Sequence, residues 1–165
     1  MRTSIFTFFF GIFGAIVLHW WIAQPIFIRD EAMSPGLRRG DIVIVNRLPY
    51  FFGNLQRGDT VVFRDAEQYA RRYVRRIVGL PGERVIVKDG ILSLEAPDGS
   101  KTTEELALFG TIIASIRDQG NLDENEYFVL PNTAIQEKSG ILDERFIIGK
   151  PYLRIWPLNK INFLY

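Results

Sequence analysis

Two short segments of this 165-residue chain combine residue types and spacings that could do chemistry. The first, residues 29–41, contains an acidic pair followed by Ser34, and the second, residues 73–83, contains Arg75 in an arginine pair. The chain has no cysteine and a single histidine, His19. One histidine cannot build a His-based triad or a multi-histidine metal site, and disulfides and thiolate metal sites are excluded. We therefore expect no metal and no cofactor.

Both segments resemble the catalytic boxes of the type I signal peptidases, S26-like membrane-bound serine proteases that use a Ser-Lys dyad. Ala32-Met-Ser-Pro-Gly-Leu37 stands where that family has Ser-Met-x-Pro-x-Leu, and Arg75-Arg76 stands where the family has Lys-Arg. Other blocks follow in the family's order. They are Gly40–Asn46, Arg57–Phe63, Gly79-Leu-Pro-Gly82 and Tyr127–Leu130. The resemblance implies a mainly β, antiparallel signal-peptidase-like domain behind one N-terminal transmembrane helix.

The resemblance also places Ala32 at the nucleophile position and Arg75 at the base position. Alanine has no oxygen, and a guanidinium stays protonated where the family's lysine becomes neutral in apolar surroundings. Asp30 stands where the family often has a hydroxyl that stabilises the oxyanion, and a carboxylate would repel that charge. The last box is altered as well, because Pro131-Asn-Thr-Ala134 replaces Gly-Asp-Asn-Arg. We therefore predict that the chain is not an enzyme but an inactive pseudo-peptidase.

The alternative is a divergent signal peptidase, a serine endopeptidase whose catalytic groups have moved. Ser34 is its fallback nucleophile, because it lies two residues beyond Ala32, about 6.6 Å along an extended chain. The competing interpretation of Ser34 is a turn serine before Pro35. Ser34 would also need a neutral base outside the base box. The lysines outside that box are Lys88, Lys101, Lys138, Lys150 and Lys160.

Two charge pairs are predicted around the boxes. A cation at the family's buried lysine position needs a carboxylate to offset its desolvation, so we expect Arg75 to pair with Asp30 or Glu31. The alternative is an exposed arginine on a strand edge. The resemblance further implies a structural ion pair between Arg76 and Asp143.

The N-terminal residues predict a membrane anchor. The run Ile5–Ala23 has no acidic or strongly basic residue, and about 20 such residues match the thickness of a bilayer. We assign residues 1–24 to a transmembrane signal anchor and 25–165 to the β-rich domain. The positive charge before the run favours a cytoplasmic N-terminus and an extracytoplasmic domain at the plasma or inner membrane. A cleavable signal peptide is the alternative, although the apolar run is long for one.

Aromatic residues predict where the chain contacts the bilayer. Trp20 and Trp21 end the apolar run, as in an interfacial aromatic belt. Tyr50, Phe51 and Phe52 lie between two strand blocks, and residues 155–165 are also rich in large apolar side chains. An interfacial patch and ordinary core are both open interpretations of these residues.

Past the anchor, short β-branched runs broken by glycine and proline predict a sandwich or an open barrel. The dipeptide Asp89-Gly90 suits a tight hairpin turn between two such runs. Residues 102–116 depart from this pattern and predict a helix, because a cap-like threonine precedes glutamates and helically spaced apolar residues. The predicted strands are Asp41–Asn46, Thr60–Phe63, Tyr73–Gly79, the two arms within Glu83–Glu95, Tyr127–Leu130, Phe146–Ile148 and Tyr152–Trp156.

The net charge and the predicted β-rich fold limit the classes of partner that the chain could bind. A net charge of +1 gives no bulk field that favours nucleic acid. A β-rich cleft can still bind an extended peptide by adding it as a strand, which needs no nucleophile. We therefore predict a binding, scaffold or assembly factor at the membrane. Its partner would be a segment of a secreted or envelope protein, or a membrane protein complex.

Overall fold

The structure, a computed structural model, describes residues 8–12, 14, 23–29, 33, 36–48, 55–88, 91–104, 120–131 and 140–164. Residues 8–12 are helical, and the rest of the described chain is dominated by strands. The strands are β1 (Ala23–Phe27), β2 (Ile42–Asn46), β3 (Thr60–Arg64), β4 (Arg72–Gly79), β5 (Arg84–Lys88), β6 (Ile91–Glu95), β7 (Lys101–Glu104), β8 (Gly120–Asn121), β9 (Glu126–Leu130), β10 (Gly140–Asp143), β11 (Ile147–Trp156) and β12 (Asn162–Phe163).

The strands form two antiparallel sheets. The larger has the order β1-β2-β11-β3-β4-β9-β10, and β12 pairs with β11. The smaller has the order β7-β6-β5-β8. The predicted hairpin is confirmed, because Lys88 of β5 pairs with Ile91 of β6 and leaves two residues for the turn. The mainly β, antiparallel fold is therefore confirmed.

Alternation of side chains divides the core between the two faces of β4. Tyr73 and Ile77 lie on one face, in a cluster with Val61, Phe63 and other residues of β3, β9 and β11. Val74 lies on the opposite face, in a cluster that includes Met33 and residues of β1 and β2. A third cluster joins the smaller sheet to β4 and β9 through Val78 and Phe128. Because successive strand residues point to opposite sides, Arg75 and Arg76 must face different environments.

The helix predicted to begin at Thr102 is wrong where the structure describes it. Residues 101–104 form β7, and Thr102 and Thr103 pair with Leu94 and Ser93 of β6. The β-branched threonines fit a strand beside an available sheet edge, and this outweighs the local capping pattern. Residues 105–116 of that prediction lie outside the described residues.

The two predicted strands 146–148 and 152–156 are one strand, β11, which runs through Pro151. Register shifts on either side of Pro151 let the strand continue. The N-terminal prediction also differs in part, because β1 already begins at Ala23, inside the predicted anchor. Within the described residues, no helix is both long and apolar enough to cross a bilayer, and most of the predicted anchor lies outside them.

Candidate functional site

The turn between β1 and β2 is fixed at both ends. Met33 and Leu37 are buried at 5% and 4% exposure, and the Leu37 amide donates to the Met33 carbonyl at 3.0 Å. The Arg38 amide donates to Oδ2 of Asp41 at 3.1 Å. Gly40 has a φ of 98°, which suits a residue without a side chain. Met33 and Leu37 are therefore two buried anchors of this turn.

A cavity of about 480 Å³ lies against this turn. Met33, Gly36 and Leu37 contribute the turn side. The rest of the lining comes from residues in or next to β2, β3, β4, β11 and the C-terminal strand. The charged residues in its lining are Asp59, Arg76 and Lys150. Residues of the turn and three charged side chains thus meet at one depression with both polar and apolar lining, large enough for part of an extended peptide.

The lysine of this cavity is paired with its aspartate. Nζ of Lys150 lies 2.5 Å from Oδ2 of Asp59, and the two side chains are 27% and 22% exposed. Asp59 Oδ2 also accepts a hydrogen bond from the Gln56 amide at 2.6 Å. By contrast, Lys101 lies on the smaller sheet, where its Nζ is 3.4 Å from Glu95. Lys150 is therefore the one lysine in the cavity lining among the residues described.

Arg75 is fully buried, at 0% exposure, in the middle of β4. Its Nη1 donates to the Val74 carbonyl at 2.7 Å, and its guanidinium carbon lies 5.2 Å from the centre of the Tyr73 ring. The alternative of an exposed arginine on a strand edge is wrong, because β4 lies between β3 and β9. The predicted partners Asp30 and Glu31 lie outside the described residues, so the cleft charge pair stays a prediction.

Arg76 and Asp143 are not brought together. Arg76 is exposed and lines the cavity beside the turn, whereas Asp143 lies against a different depression with Phe63. Asp143 Oδ2 is 2.9 Å from Nε of Arg145, and Asp143 Oδ1 accepts from the Arg145 amide at 2.9 Å. In the described part of the chain, the aspartate is thus paired within its own loop.

Other predicted site residues lie outside the described residues. This applies to the family nucleophile position Ala32, the fallback nucleophile Ser34 and the aromatic residues expected at the bilayer. The aromatic residues concerned are Trp20, Trp21, Tyr50, Phe51 and Phe52. Of the C-terminal apolar residues, Trp156, Leu158, Ile161 and Phe163 are exposed at 49–68%.

One tyrosine of the core has an altered acidity. Tyr127 is buried in the same cluster as Tyr73. Burial raises the pKa of Tyr127 above its ordinary value, and the Glu144 carboxylate raises this pKa further. A negative charge on the Tyr127 oxygen is therefore disfavoured.

The sequence profile of the family described as "Signal peptidase, peptidase S26" matches residues 1–156. The chain belongs to this family. Signal peptidase IB of Staphylococcus aureus (strain MRSA252) is 29% identical over 163 residues, covering 87% of this chain and 83% of that protein. Signal peptidase I T of Bacillus subtilis (strain 168) is 26% identical over 158 residues, covering 90% and 81%. A crystal structure of signal peptidase I from Enterococcus faecalis V583 gives a TM-score of 0.41 at 20% identity, covering 58% of this chain and 95% of that one.

Membership of the signal peptidase family confirms the resemblance of the two boxes and corrects one prediction. The relatives that match most of the chain are named as peptidases. The prediction that the chain is not an enzyme is therefore contradicted. That prediction treated the departures at Asp30, Ala32, Arg75 and the last box as decisive, whereas catalytic groups can occupy different positions on one scaffold.

Sequence reasoning missed the pairing of Lys150 with Asp59 and its place beside the turn. Asp59 lies in the block Arg57–Phe63, and Lys150 is one of the lysines outside the base box. Asp59 and Lys150 are 91 positions apart, so no local spacing could relate them. Only the pairing of β11 with β3 brings them together.

Proposed function

We propose that the chain is a divergent type I signal peptidase, a serine endopeptidase that hydrolyses a peptide bond in the signal peptides of exported proteins. One observation carries this proposal: the family profile matches residues 1–156, and relatives named signal peptidases match over more than 80% of their length. The cavity beside the turn supports it, because an extended substrate needs an open groove next to the nucleophile.

We assign Ser34 as the nucleophile and Lys150 as its base. Arg75 cannot take a proton, since its guanidinium stays charged. Met33 and Gly36, which flank Ser34 in sequence, line the same cavity as Lys150. In this assignment the Ser34 hydroxyl attacks the scissile carbonyl carbon while its proton passes to neutral Lys150. The protonated amine then delivers that proton to the leaving nitrogen as the peptide bond breaks, which leaves the acyl group as an ester on Ser34. Water then attacks the ester carbon while Lys150 takes its proton, and that proton returns to the Ser34 oxygen as the ester bond breaks and the new carboxyl end is released.

The ion pair with Asp59 controls when Lys150 can act. Nζ lies 2.5 Å from the Asp59 carboxylate, and in this ion pair the amine is not available to the serine hydroxyl. An extended peptide that enters the cavity displaces Lys150 from Asp59 and surrounds the amine with less polar groups. Separation from Asp59 frees the Lys150 amine to contact the nucleophile, so catalysis depends on the substrate being in place.

We further propose where the chain lies in the cell. The apolar N-terminal run anchors the chain in the membrane and holds the β domain on the extracytoplasmic side. This is the side on which a signal peptide presents its cleavage site after translocation. The partners are then the membrane and the emerging segment of an exported protein, and co-purification from native membranes tests whether a larger membrane complex is also bound.

A cleavage assay tests the function. The detergent-solubilised full chain is incubated with a preprotein, beside Ser34→Ala and the control Ser93→Ala, which changes a serine on the smaller sheet. We expect cleavage by the natural sequence and by Ser93→Ala but not by Ser34→Ala. Binding of the preprotein without cleavage overturns the proposal. Equal cleavage by Ser34→Ala overturns the assignment of the nucleophile.

A further inference from the structure

Arg154 makes an unusually dense set of contacts for a surface-proximal side chain. It lies on β11, is 12% exposed and donates hydrogen bonds in two directions. Towards the turn, its Nη1 donates to the Gly36 carbonyl at 3.0 Å and to Oδ2 of Asp41 at 3.1 Å. An arginine can satisfy several acceptors at once, because its planar guanidinium presents five N–H donors in a fixed geometry.

Asp41 links Arg154 to the backbone of the turn. Its carboxylate is only 7% exposed, and the same Oδ2 that accepts from Arg154 also accepts the Arg38 amide at 3.1 Å. The Asp41 carbonyl accepts the Ile28 amide at 2.8 Å, which ties the end of the turn to the residue after β1. Arg154 therefore restrains the turn both through Gly36 and through a nearly buried carboxylate.

On its other side, Arg154 holds the C-terminal strand. Nε and Nη2 donate to Oδ1 of Asn162 at 3.0 and 2.8 Å, and Nε also donates to the Lys160 carbonyl at 2.9 Å. Asn162, Phe163 and Leu164 line the cavity beside the turn. The Leu164 amide donates to the Tyr152 carbonyl at 2.8 Å, which continues the pairing. One guanidinium thus connects the turn to the C-terminal wall of the cavity.

Lys150 and Arg154 lie on the same strand, four residues apart, or about 13 Å along an extended chain. The strand that carries the proposed base therefore also carries the group that holds the turn with the proposed nucleophile. Paired strands are more rigid than loops, so this arrangement fixes the distance between the two reacting groups through one element.

We propose that Arg154 is a positioning residue that sets the turn at residues 33–41 against Lys150 and makes the C-terminal strand part of the active site. This inference rests on the proposed function. Misplacement of reacting groups by about 1 Å can cost on the order of 100-fold in rate, so the contribution of Arg154 belongs to kcat. Its contacts are to the enzyme's own turn and strand, so KM should change little.

The test compares Arg154→Lys with the control Arg145→Lys, which changes an arginine of an ion pair away from the cavity. We expect Arg154→Lys to lower kcat by about 100-fold with KM within about threefold, because lysine cannot reach both the turn and Asn162 with one planar group. The control keeps its kcat. A kcat for Arg154→Lys equal to that of the control, in protein with native thermal unfolding, overturns the inference.

Two further measurements keep the test decisive. Amide hydrogen exchange at Arg38 should become at least about tenfold faster in Arg154→Lys, since the Asp41 carboxylate loses a partner. Unchanged exchange overturns the role of Arg154 even if no variant is active, whereas faster exchange without cleavage by the natural sequence overturns only the proposed function. If Arg154→Lys does not fold, Asn162→Ala replaces it, with a severalfold loss of kcat expected and an unchanged kcat counting against the inference.

Discussion

Nζ of Lys150, on the inner strand β11, lies 2.5 Å from Oδ2 of Asp59, the residue that precedes β3. The pair joins two strands that are far apart in sequence, and it lies in the lining of the cavity beside the turn. Both side chains keep about a quarter of their surface exposed, at 27% and 22%. The geometry is that of a pair which a ligand can separate without opening the core.

Replacing Lys150 by methionine separates function from stability. Removal of a general base costs on the order of 10²- to 10⁴-fold in turnover. A partly exposed ion pair contributes less than about 1 kcal/mol to the free energy of unfolding. We therefore expect Lys150→Met to fold normally and to lose cleavage. Lys101→Met, which disrupts the pair with Glu95, is the control, and equal turnover of the two variants would count against Lys150 as base.

The buried guanidinium of Arg75 allows a test of its predicted carboxylate partners, Asp30 and Glu31. Arg75→Met keeps the side-chain volume but leaves any buried partner carboxylate uncompensated, at about 3–5 kcal/mol of unfolding free energy. Adding Asp30→Asn and Glu31→Gln should recover most of that loss in urea unfolding. Arg76→Met, on the exposed face, should stay within about 0.5 kcal/mol. A cost for Arg75→Met that is the same with and without the acidic residues contradicts the pair.

A side chain at Gly149 should destabilise the sheet strongly. Gly149 has a φ of 152°, and a Cβ there would meet the carbonyl oxygen of Asn46 and lie 2.9 Å from its carbon. Gly149→Ala should therefore cost about 3 kcal/mol or more of unfolding free energy. The control Gly99→Ala has a φ of 82° and open space around it, so its cost should be about 1 kcal/mol. Thermal unfolding measures both, and similar melting temperatures would contradict the close approach of β11 to β2.

Tyr127 should make stability depend on pH in the alkaline range. Its pKa is raised in the folded chain, first by burial and then by Glu144, so the folded state holds its proton where the unfolded state releases it. The contribution is complete below the unfolded pKa of about 10 and is lost as pH rises towards the folded pKa. Tyr127→Phe removes this dependence. Urea unfolding of both proteins at pH 9 and pH 11 measures it, and parallel losses in the two proteins would disprove it.

Strands with regular alternation could be predicted from the sequence. In β2, buried and half-buried residues alternate along the whole strand, and the predicted bounds differ from the observed ones by one residue. The sequence predicts two strands in place of β11, because Gly149 and Pro151 interrupt its pattern. Both residues are accommodated where the register against neighbouring strands shifts. The start of β1 could not be distinguished from the anchor, because its first residue, Ala23, continues the apolar run before it.

The site was less accessible to sequence reasoning than the fold. The boxes identified the turn and the strand with Arg75, since they are local patterns. The contacts of Arg154 with Asp41 and Gly36 join residues 113 and 118 positions apart. The full burial of Arg75 likewise depends on β4 lying inside the sheet, between β3 and β9, which no local pattern specifies.

The position of β11 in the sheet also sets the order in which the domain can fold. β11 lies between β2 and β3, yet it consists of residues 147–156. During synthesis or translocation from the N-terminus, β2 and β3 therefore emerge long before the strand that joins them. Until residue 156 has emerged, each keeps one edge unpaired, which is open to pairing with other chains. The larger sheet is completed late and through contacts distant in sequence, so folding should be slow and most vulnerable to aggregation just before β11 is available.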